Sequence, residues 1–195
     1  MSFRSLVVFF ILMSALVLPR AAEAQERKQA HATRVANGAV RLDGALDEAV
    51  WSASPAISDF VQREPVEGAS PTDPLDVRIV YDDDAIYVGA RLRSSGGVRA
   101  SLGRRDDPGQ AEHLLVSFDT YLDRRTASTF GVTAAGVRLD RYFSSDDIDS
   151  GDSGYSPVWG AEVTRNDAGW MAEMRIPFSQ LRFNDRSPQL WGLNI

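Results

Sequence analysis

Leu42-Asp43-Gly44-Ala45-Leu46-Asp47-Glu48-Ala49-Val50-Trp51 reads as the end of a strand, a tight turn and one helical turn that delivers a tryptophan. Asp43-Gly44 reverses the chain, because glycine tolerates positive φ and the aspartate carboxylate can accept nearby backbone N–H groups. Asp47 and Glu48 stand where carboxylates favour a helix N-terminus, and Leu46, Ala49 and Val50 follow at helical spacing. Trp51 is expected to close that short helix against a core, as a packing anchor.

Outward from this run the pattern is mostly β. Val77, Ile79 and Tyr81 alternate with polar neighbours, as do Ile86, Val88, Ala90 and Leu92, and Asp82-Asp83-Asp84-Ala85 between them reads as a hairpin turn. Leu114, Val116 and Phe118 form a third inward row, and Phe130 with Val132 a fourth. Ala134-Ala135-Gly136 turns the chain into Val137 to Phe143. Residues 144 to 157, rich in Ser, Asp and Gly, read as a surface loop. Val158 to Val163 and Trp170 to Ile176 form a further antiparallel pair around Asn166-Asp167-Ala168-Gly169. Pro177 ends that strand, Phe178 to Leu181 is a single helical turn, and Trp191 to Ile195 begins another strand. At least seven strands with little helix predict an all-β fold, a two-sheet antiparallel β-sandwich.

The first 24 residues have the pattern of a secretory signal: Arg4, an apolar run from Leu6 to Leu18, and the small-x-small site Ala22-Glu23-Ala24. That run is too short to cross a bilayer, which takes about 20 residues. Residues 25 to 33 read as a polar, disordered lead-in, and 34 to 195 as one domain cut short at its C-terminus. Removing the signal takes out Arg4, Arg20 and Glu23 and moves the formal charge from −6 to −7, which argues against a nucleic-acid partner. There is no cysteine, so disulfides, thiolate nucleophiles and Cys-ligated metals are excluded. The histidines are His31, in the lead-in, and His113, at a strand start, and no Ser-His-Asp arrangement is readable. Met171 and Met174 flank the Trp170 strand, but Met174 alternates with the core, which leaves no haem ligand pattern.

At this point the residues resemble a known family. Leu42 to Glu48 with Trp51, Val77 to Asp83, and Ile86-Tyr87-Val88 are similar to the family 9 carbohydrate-binding module. Arg104-Arg105-Asp106-Asp107, Phe118-Asp119-Thr120-Tyr121, Asp123-Arg124-Arg125-Thr126 and Ile176 to Phe183 resemble a bacterial subgroup in which the module precedes an outer-membrane β-barrel of uncharacterised function. The resemblance implies a non-catalytic sandwich that binds poly- or oligosaccharide on one face, often with calcium, in the periplasm or cell envelope. It implies a missing C-terminal barrel as partner. Two other roles fit it: an accessory module of an O-glycosyl hydrolase system, or a structural plug for the barrel.

Sugar binding needs aromatic faces and fixed polar groups. The positions that the resemblance assigns to these contacts are Gly109, Leu115, Gly131 and Thr133, which depart from the sugar-binding pattern. Candidate ligand contacts are therefore Arg104, Arg105, Asp107, Tyr121 and Arg124, the arginines because their planar forks pair bidentately with oxyanions. A plainer role for Arg104 to Asp107 is an internal ion-pair network with Asp119 or Asp123. Calcium needs several converging oxygens, for which Asp119, Asp123 and Asp140 are candidates. The family's aspartate after the Ile86 strand is Ser94 here. Asp146, Asp147, Asp149 and Asp152 lack the EF-hand pattern and read as a solvated loop. Asp43, Gly44, Asp47 and Trp51 are assigned structural roles.

Overall fold

The computed structural model describes residues 28–147, 151–152 and 154–195, so the signal-like segment and Asp149 lie outside the described residues. Nine strands form two sheets. The first, sheet A, runs in the order β1 (Thr33–Arg34), β2 (Leu75–Tyr81), β3 (Ala85–Arg93), β8 (Gly169–Pro177), β7 (Gly160–Asn166). Sheet B runs β6 (Arg138–Phe143), β5 (Ala127–Thr133), β4 (His113–Asp119), β9 (Gly192–Asn194). Every pairing is antiparallel except that of β1 with β2. The fold is thus the all-β sandwich that the alternation predicts.

The core lies between the sheets. Val77, Ile79, Val88 and Ala90 face Val116, Phe130 and Val132 there, with Trp170, Ala172, Met174 and Ile176 from β8. Short polar staples set the turns. The Asp82 carboxylate accepts N–H groups from Asp84 and Ala85, both at 2.9 Å, and the Tyr87 hydroxyl, also at 2.9 Å. Burial opposes ionisation of Asp82, yet these donors outweigh it and hold its pKa below the ordinary value.

Alternation marks one buried face on β2 and β3, but both faces are covered. Val80, Ala85 and Tyr87, which point away from the main core, form a second cluster with Leu46 and Trp51. The run 42–51 lies over the outer face of sheet A as a partial third layer. Its helix, α1, spans Ala49–Ala53, so Asp47 precedes it and is exposed. Glu48 occupies the N-cap position without a capping bond, and its carboxylate instead accepts the Arg41 N–H at 2.8 Å. Thr33 belongs to β1, and Lys28 pairs with Asp59 at 2.7 Å.

Trp51 is fully buried, and its indole N–H donates to Glu173 at 2.9 Å. The other oxygen of Glu173 accepts the N–H groups of Asp43 at 2.9 Å and Gly44 at 2.8 Å, which ties the turn to β8. Gly44 has φ +80°, and a Cβ there would stand 2.8 Å from the Val163 backbone. Gly89 on β3 makes room for the tryptophan, since a Cβ would meet the indole at 2.9 Å and Leu46 at 2.7 Å. The pattern recurs: Trp159 donates to Asp140 at 2.9 Å and Trp170 to Glu112 at 3.1 Å. A buried indole N–H needs an acceptor, and in this fold a carboxylate supplies it three times.

Candidate functional site

In β4, Leu114, Val116 and Phe118 enter the core, so Leu115, Ser117 and Asp119 point outward from sheet B. Register carries this alternation across the sheet. Asn194, Ser117, Thr129 and Arg141 stand in one transverse row, and Leu115, Gly131 and Leu139 in the next. Ser117 and Thr129 share a hydroxyl hydrogen bond of 2.7 Å, while Arg141 and Asn194 are exposed. Leu115, 41% exposed, lies across Gly131: a Cβ on that glycine would stand 2.3 Å from a Leu115 methyl. The face is therefore a shallow surface with an apolar centre and a polar row beside it.

The four positions that the resemblance assigns to sugar contacts divide. Leu115 and Gly131 sit together on this face. Thr133 is fully buried, and its hydroxyl accepts N–H groups from Ala135 at 3.2 Å and Val137 at 3.1 Å, which locks the β5–β6 turn. Gly109 lies in an exposed turn at φ +52°, where its N–H donates to Asp107 at 3.0 Å. Trp51, Trp159 and Trp170 are buried, and Trp191 is half-buried, edge-on against Phe118.

The Arg104–Asp107 turn is stapled to β6, and not to Asp119 or Asp123. Asp106 donates its N–H to the Arg138 carbonyl at 3.1 Å, and its carboxylate accepts the Asp140 N–H at 2.7 Å. Arg105 pairs with buried Asp140 at 2.6 Å and donates to the Pro157 carbonyl at 3.1 Å, so its guanidinium is structural. Arg104 is exposed and its side chain forms no ion pair or hydrogen bond with the described residues. Tyr121, 49% exposed, and Arg124 lie on the β4–β5 loop, where Leu122 and Arg124 have φ of 55° and 58°. Two carboxylates hold this conformation: Asp119 accepts N–H groups from Asp123 and Arg124, and Asp123 from Arg125 and Thr126. The N–H groups of Thr126 and Arg125 hold the Asp123 carboxyl below its ordinary pKa.

Those bonds also occupy the oxygens proposed for calcium. Asp140 is committed to Arg105 and Trp159 through one oxygen, although its second, Oδ2, is buried without a partner. Among the described residues no three His, Asp or Glu side chains converge as a metal-binding group. Ser94 is buried and donates to Glu112 at 3.0 Å. His113 is exposed, with Nδ1 at 3.2 Å from the Ala111 carbonyl.

No family model and no curated protein matches the chain. Among solved structures, the chain is 17% identical to a family 9 carbohydrate-binding module from Caldicellulosiruptor kristjanssonii in complex with cellotriose, with a TM-score of 0.58 over 84% of this chain and 74% of that one. A structure of a family 9 module from the same organism in complex with glucose gives 17% identity and a TM-score of 0.57 over 83% and 75%. The chain shares the sandwich fold of family 9 carbohydrate-binding modules.

Proposed function

We propose that this chain is a non-catalytic carbohydrate-binding-like module, exported to the cell envelope, that forms the N-terminal part of a larger outer-membrane protein. The observation that carries the proposal is the outward face of sheet B. In a fold shared with two sugar-bound structures, it sets Asn194, Ser117 and Arg141 in one register row beside the exposed Leu115. Arg141 and Asn194 supply a guanidinium and an amide for hydroxyls, and Leu115 an apolar contact for the C–H side of a pyranose.

Without a stacked aromatic the affinity is low. Each net polar contact contributes ~0.5 to 1.5 kcal/mol, so a few of them reach about −4 kcal/mol, a millimolar site. Affinity electrophoresis and calorimetry against cello-oligosaccharides and a glycan panel test the reading. Saturable binding is expected, weakened about tenfold by Arg141→Ala or Asn194→Ala with an unchanged melting temperature. Arg105→Ala is unsuitable for this purpose, because it strands the buried Asp140 charge and costs about 3 to 5 kcal/mol of stability. No binding to any glycan overturns the proposal in favour of a structural domain that packs on the barrel.

A further inference from the structure

β6 and β7 are the outer strands of the two sheets along one flank of the sandwich, and beside them lies a cleft of about 620 Å³. Ala135, Gly136 and Arg138 form one wall, and Ala161, Val163 and Arg165 the other. The walls touch where a Cβ on Gly136 would stand 3.6 Å from a Val163 methyl. Pairing gives the direction of each side chain. Arg138 stands opposite Val132, a core residue, so it points to the inner side of sheet B. Arg165 stands opposite Trp170, also in the core, so it points to the inner side of sheet A. Two arginines thus lean from facing sheets toward one cleft.

Neither guanidinium has a carboxylate partner among the described residues. Arg138 donates through Nη1 to the Trp159 carbonyl, which leaves its other N–H groups open. Arg165 is exposed, and its side chain forms no ion pair or hydrogen bond with the described residues. Glu162 borders the same cleft, but it stands opposite Glu173, whose carboxylate lies on the outer face against Trp51. The Glu162 carboxylate is turned to that outer face too. On a chain with a formal charge of −6, the cleft is therefore a local excess of positive charge in a concave site, which concentrates anions.

The β7 wall also offers backbone groups. The Arg93 N–H donates to Pro74, on the β2 side, so the odd residues of β3 bond toward β2 and the even ones toward β8. Through the facing pairs Leu92 with Trp170 and Met171 with Thr164, the even residues of β7 bond to β8. The N–H and C=O groups of Ala161, Val163 and Arg165 therefore point away from sheet A, without a partner among the described residues. Other long edges are occupied. On β6, the Asp140 N–H goes to the Asp106 carboxylate and the Tyr142 carbonyl takes the Asp152 N–H at 2.9 Å. On β2, β1 covers Val80 and Tyr81, and Ile57 exchanges bonds of 2.8 and 2.9 Å with Val77. We propose that the cleft between β6 and β7 binds a sugar acid or sugar phosphate, with its oxyanion on Arg138 and Arg165 and its hydroxyls on the free backbone groups of β7. Guanidinium forks pair bidentately with either oxyanion, and a hydroxyl can donate to a free carbonyl and accept from a free N–H. The cleft has the volume of a small-molecule site. It is separate from the outward face of sheet B, because Arg138 points inward where Arg141 points outward.

Calorimetry at low ionic strength with glucuronate, a phosphate ester of glucose and glucose itself tests the proposal. Saturable millimolar binding of one or both anions is expected, about tenfold or more tighter than glucose, and whichever binds names the oxyanion. Arg165→Gln is expected to weaken that binding about tenfold with an unchanged melting temperature, since its side chain bonds to none of the described residues. Arg186→Ala, an exposed arginine outside the cleft, serves as the control and is expected to change neither. Neither anion binding more tightly than glucose, or anion binding that Arg165→Gln leaves intact, overturns the proposal whatever neutral glycans do on sheet B. Anion binding that is lost in Arg141→Ala and kept in Arg165→Gln overturns it as well, by moving the site to the outward face of sheet B.

Discussion

A carboxylate buried under a covering segment must have its oxygens bonded or destabilise the fold by several kcal/mol, and Glu173 meets that condition with three donors. Burial raises its pKa above the ordinary 4.5, against the pull of the Asp43, Gly44 and Trp51 donors, and nearby Glu48 raises it further. Glu173→Gln turns an NH₂ group toward at least one of those donors and should cost about 1 to 3 kcal/mol, read by urea denaturation. A raised folded pKa contributes stability that is complete below the ordinary value and lost as pH rises through the folded one. The stability difference between wild type and Glu173→Gln should therefore narrow as pH climbs from 4.5, and a constant difference would show that Glu173 does not titrate in the fold. The need of Trp51 for a core was legible in the sequence, because a large aromatic after a turn has few other uses. Its acceptor, 122 residues away, was not. Glu173 lies on the polar side of an alternating strand, where solvent is the ordinary expectation.

Alternation located β2, β3, β4, β5 and β8 because each has an inward row that enters one core. It could not show that β2 and β3 are covered on their outer face as well, since that depends on where a distant segment lands. Gly89 was the available signal: a glycine within a strand marks a bulge or a close approach, and here Trp51 approaches. Gly89→Ala should push the indole off the sheet and cost about 1 to 3 kcal/mol with the strand retained, seen as a lower denaturation midpoint and a shifted tryptophan emission. On β6 the same reasoning explains the ion pair that was assigned to the wrong partner. Leu139 and Arg141 point outward there, so Asp140 points in, beside Trp159, and Arg105 follows it. The Asp119 and Asp123 side chains were already bound to their own loop.

For the molecule as a whole, the sequence carried the class of fold, but not the composition of the outward face of sheet B. Asn194 and Arg141 come to one row only through three pairings, β9 with β4, β4 with β5 and β5 with β6, whose register no local pattern encodes. Calcium is not needed to hold this arrangement, because the relevant carboxylates already have N–H or guanidinium partners. Thermal melts with chelator and with about 1 mM calcium should therefore share a midpoint within about 2 °C, and a larger rise would reveal an ion site. The covering of β2 and β6 has one last consequence. A sheet that can accept a neighbour on both flanks grows without limit, whereas here the β1–Ile57 flank is closed. With that flank covered, sheet A cannot extend from molecule to molecule in both directions, which bars a fibre built on strand pairing.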